Sequence, residues 1–226
     1  MTAPRQHPLD IAEIIHDARL GDLRTLREER VGYDQLWEST EGLFRLLDER
    51  RVPYVLVGGL AMLEYAPNRN TRDIDLIVAA EDLRRLPELA VVTRDRDFAR
   101  AGFEGVQVDF LLTANPLFDL VRRRYTQRRT IATGEIDCAT PEGLVLLKLF
   151  ALPSLYRQGQ FERVSIYESD VAILIGRHEI VLEAILRAIA SEVLPGDVVQ
   201  IREIAAELQA RVARFREQQT GPGPQP

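Results

Sequence analysis

Apolar residues recur at helical spacing through the first fifty positions, at Ile11, Ile14 and Ile15 in one segment and at Leu36, Leu43, Leu46 and Leu47 in another. Pro53 opens a different pattern. Tyr54 to Val57 is a short apolar run that predicts a strand, Gly58 and Gly59 follow as a turn, and Leu60 to Tyr65 predicts a helix ended by Pro67. Asp73 to Val78 and Val106 to Thr113 predict two further strands, with a helix between them over Glu81 to Leu89. Thr140 followed by Pro141 marks a helix start, because threonine can cap free amides and proline tolerates the first helical position. That helix is expected to run to about Leu152, ahead of Pro153. A polar linker over Ser154 to Val164, a helix through Ser165 to Ile175 and more helices from Ile180 to Gln219 complete the pattern. The order predicts an N-terminal helical segment (1–52), a mixed-sheet core (53–135), a helical C-terminal part (136–219) and a disordered tail (220–226).

Composition narrows the chemistry. With 226 residues, 46% of them hydrophobic, the chain can bury a core of its own. It has no apolar run of the roughly 20 residues that span a bilayer, and MTAPRQHPLDIAEII lacks the apolar centre of a secretory signal, so the expectation is a soluble cytoplasmic protein without a membrane partner. One cysteine, Cys138, forms no internal disulfide, and three scattered histidines make no zinc cluster; any metal would be held by oxygen. The net charge of −6 argues against a protein that coats nucleic acid generally. Among 29 basic residues the sole lysine is Lys148.

Two aspartates, Asp73 and Asp75, interrupt the apolar run of one predicted strand. Residues i and i+2 of a strand face the same side, so the two carboxylates project together while Ile74, Leu76 and Val78 face the other way. Like charges so close repel unless a cation sits with them, which points to a divalent metal. The glycine pair upstream lets the backbone approach a ligand closely and opens a helix whose amides suit an anion such as phosphate. Magnesium takes carboxylate and phosphate oxygen, and Asp109, on a neighbouring predicted strand, supplies a third carboxylate as base or as ligand of a second ion. Arg69 and Thr71 flank the first aspartate and either position phosphate or pack the loop.

Strand, Gly58-Gly59, helix, then Arg-x-Thr-x-Asp-Ile-Asp-Leu on a strand and an aspartate on a later strand, resembles the nucleotidyltransferase superfamily that includes DNA polymerase beta. More narrowly, Pro141-Glu142-Gly143-Leu144 leading to Leu147-Lys148-Leu149, with Ser169-Asp170 later, is similar to the AbiEii-type branch, the toxins of type IV toxin–antitoxin systems and their relatives. The resemblance covers about Val52 to Ile175. It implies an α/β (α+β) fold, a polymerase-beta-type mixed sheet with flanking helices. It also implies a nucleoside triphosphate substrate, two magnesium ions on Asp73, Asp75 and Asp109, and nucleotide binding at Gly58, Gly59, Arg69 and Thr71. Transfer would be to a hydroxyl of RNA, tRNA among them, or of protein, with a cognate antitoxin as a partner. Where many members have Gly-Ser, this chain has Gly58-Gly59, so no hydroxyl there touches phosphate.

Two further features stay open. Arg122, Arg123, Arg124, Arg128 and Arg129, with Tyr125 among them, could hold an RNA backbone or form a solvated face. Lys148 and Asp170 each lie on an apolar helical stripe, so both should be buried and need partners. They either pair with each other structurally, or Lys148 reaches the triphosphate and Asp170 orients it, as the resemblance implies for the catalytic site. The rival functions are transfer to a small-molecule hydroxyl, as in antibiotic-modifying relatives, and a non-catalytic nucleotide-binding module.

Overall fold

The computed structural model describes residues 30–66, 71, 73–131 and 134–220. The first predicted helix, at Ile11 to Ile15, and the tail beyond Thr220 lie outside them. Two compact units divide the chain, 1–140 and 141–226.

The first unit is a seven-stranded mixed sheet with helices. Helix α1 (Arg30–Glu49) leads into β1 (Tyr54–Val57), the five-residue helix α2 (Gly58–Met62) and β2 (Ile74–Val78). Then come β3 (Ala90–Arg94), β4 (Phe98–Phe103), β5 (Val106–Leu112), helix α3 (Pro116–Arg124), β6 (Thr126–Ile131) and β7 (Gly134–Ala139). The strand order is β3-β4-β5-β2-β1-β7-β6. β1 and β2 pair antiparallel, whereas β2 with β5 and β1 with β7 pair parallel. Period-two alternation sorts the faces: Val106, Val108, Phe110 and Leu112 are buried while the residues between them are half-buried. Helix α1 covers one face, its Phe44 ring stacked on Tyr54 at 5.5 Å and its Gly42 beside Phe103. On the other face α3 meets the sheet where Phe118 packs edge-on against Phe98 at 5.3 Å.

Several elements depart from the sequence pattern. Glu81 to Leu89 forms one 3-10 turn, Asp82–Arg85, because Pro87 drives Leu86 out of helical geometry and the chain turns into β3. The hairpins β3–β4 and β6–β7 were not predicted. β7 belongs to the sheet, and the compact unit that holds it runs to Thr140.

The second unit is helical: α4 (Pro141–Arg157), α5 (Phe161–Arg177), α6 (Leu182–Ala190) and α7 (Pro195–Thr220). Helix α4 continues through Pro153, where Leu152, Pro153 and Leu155 are all buried. Burying those side chains offsets the cost of one lost backbone hydrogen bond. The expected linker over Ser154 to Val164 shrinks to Gln158, Gly159 and Gln160 between α4 and α5. Among the described residues no helix is long and apolar enough to cross a membrane.

Candidate active site

Parallel pairing of β2 with β5 sets Asp75 directly beside Asp109, so the two carboxylates stand on adjacent strands and the same face. Both are half-buried. Asp73, immediately before β2, is exposed, and its carbonyl accepts a hydrogen bond from Thr71 Oγ1 at 3.4 Å.

The glycine pair lies against this row. Gly58 adopts φ +66°, and a Cβ there would stand 1.9 Å from Asp75 Oδ2. At Gly59 a Cβ would stand 2.3 Å from Thr71 Oγ1. Only glycine lets the carboxylate and the hydroxyl come so near the backbone. The Gly59 amide donates weakly to Asp75 Oδ2 at 3.4 Å, so one function of the pair is to seat that aspartate. Arg69 lies outside the described residues.

Asp109 has a partner that the sequence reading did not find. Arg100 on β4 donates from Nε to Asp109 Oδ1 at 2.6 Å and from Nη2 to Oδ2 at 2.9 Å. Gln107 Nε2 adds a bond to Oδ2 at 3.1 Å. Asp109, through its hydrogen bonds and then its charge, raises the Arg100 pKa, burial opposes this, and Asp73 and Asp75 add to the rise. The guanidinium therefore sits where the field of all three aspartates converges. The signal was present in the chain. Glu104 and Gly105 both have positive φ, which is the two-residue turn that pairs Phe103 with Val106. Counting three residues outward on each side reaches Arg100 and Asp109.

Among the described residues no three His, Cys, Asp or Glu side chains converge as a finished ligand set. Asp75 and Asp109 are nonetheless the hard oxygen donors that magnesium takes, and magnesium is commonly held by one or two carboxylates plus substrate phosphates. The donor chemistry fits, with Asp109 already engaged by Arg100.

The arginine cluster is split between two elements. Arg122 and Arg123 in the last turn of α3 both pair with Asp119, at 2.7 and 2.8 Å. Arg128 on β6 pairs with Asp137, and Arg129 with the half-buried Glu64 at 2.7 Å. Burial raises the Glu64 pKa while Arg129 lowers it. Arg124 ends α3, and Tyr125 follows as its cap. Strand β6 is the sheet edge, separated from β2 by β1 and β7.

In the helical unit, Lys148 and Asp170 are buried as their stripes required, and Lys148 Nζ lies 2.7 Å from Asp170 Oδ2. The ammonium also sits 4.3 Å from the centre of the Tyr167 ring. The pair joins α4 to α5.

No family model and no curated protein sequence matches the chain. Among solved structures it is similar to ANT(2″)-Ia in complex with adenylyl-2″-tobramycin, at 14% identity and a TM-score of 0.50, over 70% of this chain and 98% of that one. It is also similar to an antigenic nucleotidyltransferase-like protein from Paracoccidioides brasiliensis, at 19% identity and a TM-score of 0.47, over 63% of this chain and 76% of that one. The mixed seven-stranded sheet with flanking helices, and its likeness to ANT(2″)-Ia, give this chain the nucleotidyltransferase fold.

Proposed function

We propose that this protein is a magnesium-dependent nucleotidyltransferase that moves a nucleotide from a nucleoside triphosphate to a hydroxyl. The observation that supports it best is Asp75 abreast of Asp109 on β2 and β5, with Gly58 pressed against the Asp75 carboxylate. Asp73, Asp75 and Asp109 would hold magnesium, whose chemistry is to neutralise phosphate charge and orient the reacting oxygens. The Gly59 amide seats the Asp75 carboxylate, and the Thr71 hydroxyl holds the Asp73 carbonyl. Asp109 would serve either as the base that takes the proton leaving the acceptor hydroxyl or as ligand of a second ion.

The acceptor has two readings. A small-molecule hydroxyl is favoured by the state of the arginines: Arg122, Arg123, Arg128 and Arg129 all have carboxylate partners. ANT(2″)-Ia, with its adenylylated tobramycin, belongs with this reading. RNA, tRNA among it, or a protein is the second reading. It rests on the AbiEii-type residues from Pro141 to Asp170, and it brings with it a type IV toxin role and an antitoxin partner.

Purified protein incubated with each labelled triphosphate and magnesium, in one arm with total RNA and in another with an aminoglycoside panel, separates them. Label on an aminoglycoside supports the first reading, and label on RNA the second. No transfer to either, with no covalent label on protein, removes the transferase reading. In the RNA arm, Arg122→Gln, Arg123→Gln and Arg124→Gln together should flatten the salt dependence of binding if these side chains contact phosphate.

A further inference from the structure

Both oxygens of Asp109 accept from Arg100, so the guanidinium holds lone pairs for which a metal would compete. We propose that Arg100 is a positioning residue that stands in for the cation on Asp109 and hands the carboxylate over when metal and nucleotide load. The inference rests on the metal-dependent reading of the aspartates.

The geometry supports exchange rather than a fixed bridge. Arg100 lies 47% exposed on β4, one strand in from the edge, while the Asp109 side chain is 18% exposed. Exposed ion pairs of this kind are weak, even with the forked geometry that makes this one directional. The guanidinium also has somewhere to go. Gly102, two residues along β4 and so on the same face, has nothing within 4 Å of where a Cβ would stand. When Arg100 leaves, Gln107 still donates to Oδ2 from within β5 and holds the carboxylate plane, which leaves Oδ1 open. The released guanidinium remains beside the row of aspartates, where an incoming triphosphate brings the anionic oxygens that suit it.

Without Arg100 the row of aspartates would lose one resident positive charge between metal-loading events. Such a site would bind cations more tightly and more indiscriminately. The arginine thus makes nucleotide and metal arrive together, since metal alone must displace a covalently tethered competitor whereas the triphosphate offers that competitor a new partner.

The test is Mn²⁺ binding without nucleotide, followed by the paramagnetic signal of the free ion, on wild type, Arg100→Met and Arg100→Met/Asp109→Asn. Arg100→Met should bind about tenfold more tightly, the order of magnitude of one weak ion pair plus one neighbouring charge, and Asp109→Asn should erase the gain. A residue that merely stabilises the sheet would not improve metal binding when removed. In the wild type, the Arg100 Nε–H resonance should shift and lose exchange protection as Mg²⁺ with a non-hydrolysable triphosphate is added. Equal Mn²⁺ affinity in wild type and Arg100→Met overturns the inference and leaves the metal-dependent reading standing. If neither protein binds Mn²⁺, with or without the triphosphate analogue, both fall. Arg100→Lys, which keeps the charge but not the fork, gives the same comparison with a smaller gain if the methionine variant does not fold.

Discussion

Arg100–Asp109 on the sheet and Lys148–Asp170 between two helices are ion pairs of nearly equal length, 2.6 and 2.7 Å, in opposite surroundings. The sheet pair is 47% and 18% exposed, the helix pair 4% and 5%. Water solvates the first pair once it is broken, so it can be exchanged at little cost. Neither member of the second can be left alone in its apolar stripe, so breaking it strands a charge. Negative charge in the sheet unit is kept available, whereas in the helical unit it is spent joining α4 to α5. Proximity of opposite charges is therefore a poor guide to role until burial is known.

The sharpest way to break the comparison is to remove a sheet carboxylate. Asp75→Asn and Asp73→Asn should each lower nucleotide transfer by about three orders of magnitude, about 4 kcal/mol of transition-state stabilisation, if these oxygens hold metal. Thermal melting should hold or rise, because like charges have been thinned. Transfer at the wild-type rate in either variant ends the metal assignment.

Lys148→Met tests the other side. Stranding Asp170 should destabilise the protein by about 3–5 kcal/mol in denaturant unfolding, and Lys148→Met/Asp170→Leu should recover most of it. Turnover per folded molecule then decides the role of Lys148. A catalytic contact with the triphosphate would leave the recovered double variant folded but orders of magnitude slower. A purely structural pair would leave it as active as wild type.

Gly58→Ala joins the two measurements. The left-handed backbone alone costs about 1–2 kcal/mol with a side chain, and the added methyl must push Asp75 away. Loss of transfer should exceed what the fall in melting temperature accounts for, since the displaced group is the carboxylate itself.

The smallest effect is one of pH in the helical unit. Burial holds the His178 pKa below its ordinary 6.5, with Glu142 pulling it up and Arg177 adding to the depression. The unfolded chain therefore binds this proton more readily than the folded one. The histidine's contribution is present in full above about pH 6.5 and is lost as pH falls through the lower folded value. Melting between pH 7.5 and 5 should drop slightly less in His178→Gln than in wild type. Identical drops would refute the assignment.

Much of the sheet unit was legible in advance because its signals are local. Tyr54 to Val57, Gly58-Gly59, the strand carrying Asp75 and the strand carrying Asp109 each announce themselves within a few residues by alternation or by a turn. The hairpin β3–β4 was missed because Val91 and Val92 on β3 are exposed, so its pattern lacks the polar alternation of a half-buried strand. The arginine run looked like one patch because a sequence shows adjacency and not partners. Asp119 lies one turn earlier on the helix of Arg122 and Arg123, whereas Asp137 comes from the paired strand β7 and Glu64 from the turn after α2.

By itself the sequence determined the strands that carry Asp75 and Asp109, the glycine turn between two of the elements, and that Lys148 and Asp170 would be buried. Each follows from the repeat of a strand or helix, a property of neighbours along the chain. Tertiary structure alone decided that Asp75 stands beside Asp109, that Lys148 finds Asp170, and that Arg129 meets Glu64. Those depend on register between elements distant in the chain, which is set when whole faces are buried together and every strand must find its place at once.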